Sequence, residues 1–421
     1  MQKTLKYLPH SVVMMVLATA MPNTGFAKTP LQEVLQYALK QDPRLLEAKA
    51  EQDAATQNRK ASEALHYPTV AVTSSHMLGQ HHRYESDYDR ETDAGLRGKL
   101  NLYSWGGIEA SIDRDKKKER SAYYKFFETR ETLGSEIANL YVAAIYYKES
   151  LEVAKRNLER HKKFMDNLRV VSTYDTGRLS EFSQAESRYL QAQSSIVDLE
   201  RSLQTTLSRL NLYFNKRLTV NDLIDPFKDK KAEDFFKTFN EGPKDNVHPS
   251  MLAQQAELDS AIADIDVTDA TTKPQINLEG LATRYDRNAQ VTLSWDLFNR
   301  PAHYNTENAK AKVYSAQARL QQIKRDITER YETAKINMLQ SQNQANISQR
   351  HVTVQTKVAN DYAEQFTVSR RTLLEVLDAY ADLSRTETTY VNARHEFRTS
   401  TLEFLLAQAK IARWAGLPEN L

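Results

Sequence analysis

Glu375 and Asp378 stand three residues apart in the stretch SRRTLLEVLDAY, Ser369 to Tyr380. Leu373, Leu374, Val376 and Leu377 surround them, and Arg370 and Arg371 precede them. In a helix this spacing puts both carboxylates on one face, one turn apart. Such a pair can act as an acid and base, hold a metal, cover a solvated face or narrow the mouth of a pore. Glycosidase-type chemistry needs two carboxyls facing across a cleft, about 5–9 Å apart, and neighbours on one helix offer no cleft. The adjacent His81 and His82 lie in GQHHRYESDYDRET and are a second candidate, for metal, but two neighbouring imidazoles in a loop are an incomplete ligand set. DRDKKKER, Asp113 to Arg120, reads as a solvated helix face. No Gly-rich loop followed by Lys-Ser/Thr appears, and no Ser-His-Asp or Cys-His arrangement can be argued. The expectation is a protein without catalysis and without a cofactor.

Length and composition bound what positions these residues. The chain has 421 residues, with 57 basic and 55 acidic side chains. That balance gives no electrostatic reason to expect nucleic acid as a partner. Eleven glycines and eleven prolines suit long helices with little punctuation. Residues 1–27 read as a secretory signal peptide: Lys3 and Lys6, the apolar SVVMMVLATA, then Gly25-Phe26-Ala27 as the cleavage site. There is no cysteine, so neither disulfides nor a lipidated N-terminal cysteine is available. No later stretch approaches the ~18 apolar residues of a transmembrane helix. If the chain enters a membrane, it does so through strands that close into a barrel.

The chain repeats itself. DPRLLEAKAEQDAATQNRKASEALHYP (Asp42 to Pro68) aligns without a gap on HPSMLAQQAELDSAIADIDVTDATTKP (His248 to Pro274). Pro43 pairs with Pro249, Glu51 with Glu257, Asp53 with Asp259 and Pro68 with Pro274, each 206 positions apart. This is a duplication. Each copy continues into a pair of strands. Leu96, Gly98, Leu100 and Leu102 alternate with Arg97, Lys99, Asn101 and Tyr103, and Val291, Leu293, Trp295 and Leu297 alternate with Thr292, Ser294, Asp296 and Phe298. Period two with one apolar face marks a half-buried strand. Hairpins packed on a soluble core and a barrel wall between lipid and water both fit this pattern. Tyr103, Trp105, Trp295 and Phe298 near the strand ends suit an interface belt or a core equally.

Each copy then becomes helical. Leu133, Ile137, Leu140, Ala144, Tyr147, Leu151, Ala154, Leu158, His161, Met165 and Leu168 step by four and three, a seam that makes helices supercoil. A weaker seam runs from Leu320 through Ile327, Tyr331, Ala334 and Met338 to Phe366, interrupted by serines and glutamines. A helix over 107–171 would be roughly 100 Å long, so the protein is a rod or a tube. Gly177 and Ser180, in YDTGRLS, are expected to turn and cap the first helical hairpin, and Thr372 the second. The expected organisation is a first repeat over 28–214, with strands at about 68–105 and a long helix at about 107–172. An insertion or linker over 215–246 lies outside the tube at its equator. The second repeat covers 247–421, with strands at about 274–299 and a long helix at about 301–366.

With this architecture the chain resembles the TolC family of outer-membrane export channels over nearly all of its mature length. NLYSWGG (Asn101 to Gly107) resembles the family's strand-to-helix corner, and its Tyr-Ser-Trp-Gly form is closer to the type I secretion branch than to the drug-efflux branch. YDTGRLSEFSQAESRYLQAQ resembles the first periplasmic turn and FTVSRRTLLEVLDAYADL the second. The resemblance implies a mainly α protein with a β-barrel part. Three copies would build one twelve-stranded transmembrane barrel, continued by a periplasmic α-helical coiled-coil tube. It implies a homotrimer in the cell outer membrane, in contact with lipid and extending into the periplasm, with a periplasmic adaptor and an inner-membrane transporter as partners.

By the same resemblance Glu375 and Asp378 form the acidic constriction of the pore. Stacked rings of carboxylates favour cations and repel each other, so raised pKa values are expected there. Arg371, Phe366 and Ser183 occupy latch positions. Phe366 stands where an aromatic hydroxyl can serve and Ser183 where an aspartate occurs, both departures from the pattern, as is Ser369 in place of a glycine. Gly177, Arg178, Leu179 and Ser180 in the first turn, and Ser369, Arg370 and Thr372 in the second, are candidates for adaptor docking. The function so implied is a passive conduit for type I protein secretion, with multidrug or metal efflux as the alternative. A soluble periplasmic coiled-coil scaffold is the rival from a different class.

Overall fold

The computed structural model describes residues 30–76, 92–175, 177, 179–239, 242–243, 247–284, 286–368 and 370–418. The expected leader, the His81–His82 pair, Arg178 and Ser369 lie outside the described residues. The first half runs α1 (Pro30–Gln41), α2 (Pro43–Glu63), β1 (Thr69–His76), β2 (Thr92–Tyr103), α3 (Gly107–Tyr174) and α4 (Leu179–Leu210). A short α5 (Ala232–Thr238) separates the halves. The second half runs α6 (Pro249–Ala270), β3 (Gln275–Thr283), β4 (Arg287–Ser294), α7 (Arg300–Thr367) and α8 (Leu373–Leu406), closed by α9 (Ile411–Trp414). The duplication explains the shared plan. Both α2 and α6 open on a proline, whose fixed φ suits the first helical position. Asp42 caps α2 by accepting from the Arg44 amide at 2.9 Å.

The four strands form one antiparallel sheet in the order β1-β2-β3-β4. Its register sorts the side chains onto two chemically distinct faces. Val72 lies opposite Leu96, Leu100 opposite Leu278, Leu278 opposite Val291, and Ile276 opposite Leu293. On the other face Thr69 lies opposite Lys99, Lys99 opposite Glu279, and Asn277 opposite both Asn101 and Thr292. Among the described residues no helix covers the apolar face: Val72 is 80% exposed, Val291 64% and Leu293 63%. The reading in which hairpins pack on their own helices is therefore not what the chain does.

Beneath the sheet the helices stand in rows. In the upper part α3 and α6 pack side by side, with α2 beyond α3 and α7 beyond α6. In the lower part α8 lies between α3 and α7, and α4 flanks α3. Both long helices have 68 residues, about 100 Å at the usual rise. The expected seams face these contacts: Leu133, Ile137, Ala144, Leu151, His161 and Leu168 on α3 are buried, as are Leu320, Ile327, Tyr331, Ala334 and Met338 on α7. The rows are open. α2 and α4 form one edge and α7 the other, matching the open sheet edges β1 and β4.

Between the halves, residues 215–239 pack closely on the helices. They strap the helices at mid-height and supply Leu218, Leu223, Phe227, Phe235 and Phe239 to the largest hydrophobic core. The Tyr141 hydroxyl donates to the Ile224 carbonyl and accepts from the Ile224 amide, each at 3.0 Å. Phe227 stacks on Trp414 of α9 at 5.4 Å. An ion cluster fastens the strap to α3 and α8. Arg398 is 1% exposed. It grips Glu149 with two bonds of 2.8 and 2.6 Å and Asp225 with two of 3.1 and 2.8 Å, while Arg394 also pairs with Asp225.

Candidate functional site

Thr372-Leu373-Leu374-Glu375 is a capping-box sequence, and it forms one at the start of α8. The Glu375 amide donates to the Thr372 hydroxyl at 3.4 Å, and Glu375 Oε2 accepts from the Thr372 amide at 2.8 Å and its hydroxyl at 3.0 Å. Its other oxygen, Oε1, accepts from Arg371 Nη1 at 2.6 Å. The Thr372 backbone bond, the Arg371 ion pair and the Thr372 hydroxyl together hold the Glu375 carboxyl down at about 2. The upward shift expected from stacked rings belongs to three copies together; within one protomer the donors of Thr372 and Arg371 set the Glu375 carboxyl low. Asp378, one turn on, is 67% exposed in its side chain and, among the described residues, pairs loosely with Arg188 of α4 at 3.8 Å. The two acids are thus unequal: Glu375 is committed to the helix start, and Asp378, with one long ion pair, faces solvent.

Asp378 begins a polar stripe. Asp378, Asp382, Arg385, Thr389, Asn392, Glu396, Thr399 and Glu403 follow at steps of four and three along α8, and all but Thr399 are exposed. On that face a groove of about 390 Å³ between α7 and α8 is lined by Asp326, Glu329, Arg330, Glu396 and Glu403. Arg394 and Arg398, which meet the strap, lie on the opposite face of α8.

The lower ends of α3, α4, α7 and α8 converge on a small apolar cluster of Phe164, Leu168, Ala185, Leu373, Val376 and Leu377. Phe366 packs into it, 6.0 Å from the Phe164 ring, so it acts through its ring alone. Arg371 sits over the Tyr362 ring at 4.2 Å and donates to the Gln365 side chain at 3.1 Å. The aromatic partner of Arg371 is therefore Tyr362 rather than Phe366. Ser183 is exposed on α4 and joins none of these contacts. In the first turn, Asp175 accepts from the Gly177 amide at 3.0 Å. Ser180 does not cap α4 as expected. It lies inside that helix, because the chain already turns helical at Leu179. Gly177, Leu179, Ser180, Arg370 and Thr372 are all exposed at the end of the molecule far from the sheet.

Sequence reasoning missed a second brace between the two helical hairpins. Glu387 of α8 is 6% exposed. It accepts from Arg156 at 3.1 Å and from Arg160 at 3.0 and 3.2 Å, both on α3. Nothing local marks it, since each partner is more than two hundred residues away.

Removal of the cap tests the tip geometry. Thr372→Ala is expected to cost about 1 kcal/mol of local helix stability, seen as faster proteolysis near the second turn with the rest of the digestion pattern unchanged.

At the other end, β2 turns into α3 through Trp105 and Gly106, both with positive φ (54° and 80°). A glycine takes that conformation freely, and Trp105 does not. The Trp105 ring packs edge-on against Tyr103 at 4.8 Å, and Trp295 donates to the Thr272 carbonyl at 3.0 Å. Tyr103, Trp105, Trp295 and Phe298 are all exposed, so none of them packs in the protomer's own core.

A family model described as outer membrane efflux protein matches residues 34–216 and 246–408. The chain is 21% identical over 406 residues to outer membrane protein TolC of Vibrio cholerae, covering 89% of each. Among solved structures it superposes on VceC of Vibrio cholerae with a TM-score of 0.76 at 15% identity, covering 90% of this chain and 96% of that one. The Campylobacter jejuni CmeC outer membrane channel gives 0.78 at 13% identity, covering 100% and 95%. The open state of the Neisseria gonorrhoeae MtrE outer membrane channel gives 0.74 at 14% identity, covering 90% and 88%.

Proposed function

We propose, from the premise that this chain belongs to the outer membrane efflux protein family, that it is the passive conduit of a tripartite system for type I protein secretion. The family makes it an outer-membrane channel, extending into the periplasm, and a transport protein rather than an enzyme. The observation that carries the proposal is the open sheet, with one uncovered apolar face, one polar face and unpaired edges β1 and β4. Lipid has no water to satisfy those edges, and four strands are too few to close on themselves, since small barrels need about eight. Three copies supply a twelve-stranded barrel, and their open helix rows close into a tube below it. The sheet's polar face and the polar stripe of α8 then line the lumen, with Asp378 as the principal carboxylate of the constriction and Glu375 holding its helix start in place.

An inner-membrane transporter supplies the energy, and a periplasmic adaptor docks at the two turns, where Gly177, Leu179, Ser180, Arg370 and Thr372 are exposed. Charge reversal at Arg178 or Arg370 should weaken adaptor cross-linking and export. The Tyr-Ser-Trp-Gly corner supports the secretion branch. The efflux description of the family favours drug or metal export as the second reading.

Fractionation of cells and an unheated denaturing gel test the channel. A detergent-requiring oligomer in the outer membrane is expected, and a water-soluble monomer would sink the reading. Deletion of the gene followed by a survey of secreted proteins and of drug and metal susceptibility separates the branches: loss of a secreted protein with unchanged susceptibility is expected.

A further inference from the structure

We propose that α4 of one copy packs along α7 of a second copy through three apolar contacts at matched heights: Leu190 on Val354, Val197 on Ile347, and Leu212 on Ile336. This seam rests on the ring of three copies proposed above and assigns its lower subunit boundary.

The six residues are conspicuous in the protomer. On α4 and just past its end, Leu190 is 55% exposed, Val197 61% and Leu212 83%. On α7, Val354 is 58% exposed, Ile347 61% and Ile336 56%. A single exposed aliphatic residue on a polar helix needs no explanation. Two series on opposite edges of the same row do, because α4 packs along its length on α3 and α7 on α6 and α8, leaving these flanks without a neighbour.

The spacing agrees between the series. Leu190 and Val197 are seven residues apart, as are Ile347 and Val354, and a seven-residue step returns a supercoiled helix to the same face. Both helices rise from the shared cluster at the lower end of the molecule, against which Phe182 of α4 and Phe366 of α7 each pack. Counted from Leu179, Leu190 is 11 residues up, Val197 18 and Leu212 33. Counted from Thr367, Val354 is 13 up, Ile347 20 and Ile336 31. Every pair agrees to two residues, about 3 Å along the axis. The flanks also match in charge. Asp198 stands 19 residues up α4 and Arg350 17 up α7, both exposed and of opposite sign.

The cysteine-free chain makes the test direct. Val197→Cys combined with Ile347→Cys in the full-length protein should, on mild oxidation in membranes, give reducible bands of dimer and trimer size on a denaturing gel. Val197→Cys combined with Ile336→Cys, displaced by eleven residues or about 16 Å, should give none. Unheated gels of the same variants report whether the native oligomer persists. An intact oligomer in which the matched pair fails to link, or links no better than the displaced pair, overturns the seam and leaves the channel reading standing. A link formed within one chain also overturns it. A protein that never runs as an oligomer overturns the ring itself, and the seam with it.

Discussion

Replacing Arg398 with methionine is expected to cost about 3–5 kcal/mol, because it strands carboxylates that were buried as a paired cluster. Arg398 is almost wholly enclosed and makes four bonds to Glu149 and Asp225. Without it Asp225 keeps Arg394 and the Phe227 amide, and Glu149 loses the two bonds that Arg398 makes to it. The strap over 215–239 should loosen from α3 and α8. Limited proteolysis should then cut within the strap at lower protease concentration, and the oligomer should dissociate at a lower temperature. Unchanged cleavage and unchanged heat resistance would remove the cluster from the forces that hold the strap. A companion variant checks the cause. Arg398→Met with Glu149→Leu and Asp225→Leu removes the stranded charges together with the cation and should recover most of the loss.

The same cluster sets a pH dependence. Burial pushes the Asp225 carboxyl up, but Arg398, the Phe227 amide and Arg394 outweigh it and hold it below the ordinary value of 3.8. A carboxyl depressed in the folded state contributes stability above its unfolded pKa, and that contribution fades as pH falls through the lower folded value. The strap should therefore loosen only in strong acid, below about pH 4, and the triple variant should lack this acid-dependent step.

The second large effect is expected at the pore. In planar bilayers Glu375→Ala combined with Asp378→Ala should relieve block by multivalent cations. The concentration for half-block should rise on the order of tenfold or more, equivalent to about 1.4 kcal/mol or more of lost binding. Rings of carboxylates concentrate cations, and six of them would meet in three copies. The single variants should divide unequally. Asp378→Asn should account for most of the relief because its carboxylate is exposed and weakly partnered. Glu375→Gln should have the smaller effect because Arg371 and Thr372 already occupy both of its oxygens. Equal relief from both, or unchanged block in the double variant, would take this division of roles away.

The strands, the long helices and the second turn were legible because each is written over a few neighbouring residues. Alternation at Leu96 to Tyr103 marks a strand with two unlike faces, the four-three steps from Leu133 to Leu168 mark a buried seam, and Thr372 with Glu375 spells a cap. The first turn was harder. Ser180 has the chemistry of a cap, but α4 begins before it, and Asp175 organises the bend. The sheet pattern alone left a barrel wall and a packed hairpin equally open, since alternation reports that one face is apolar and not what covers it.

By itself the amino-acid sequence determined the duplication, the helix lengths, the strand faces and the acidic pair, because local backbone preference and side-chain period depend on residues close along the chain. Tertiary structure alone decided that the apolar sheet face is uncovered, that Glu375 is committed to the helix start while Asp378 faces solvent, and that the hairpins are braced at Glu387. It also decided which charges meet. Arg398 finds Glu149 across 249 residues, and Arg160 finds Glu387 across 227. An ion pair between distant helices leaves no periodic trace in either one, so only the packing that brings the two surfaces together can reveal it.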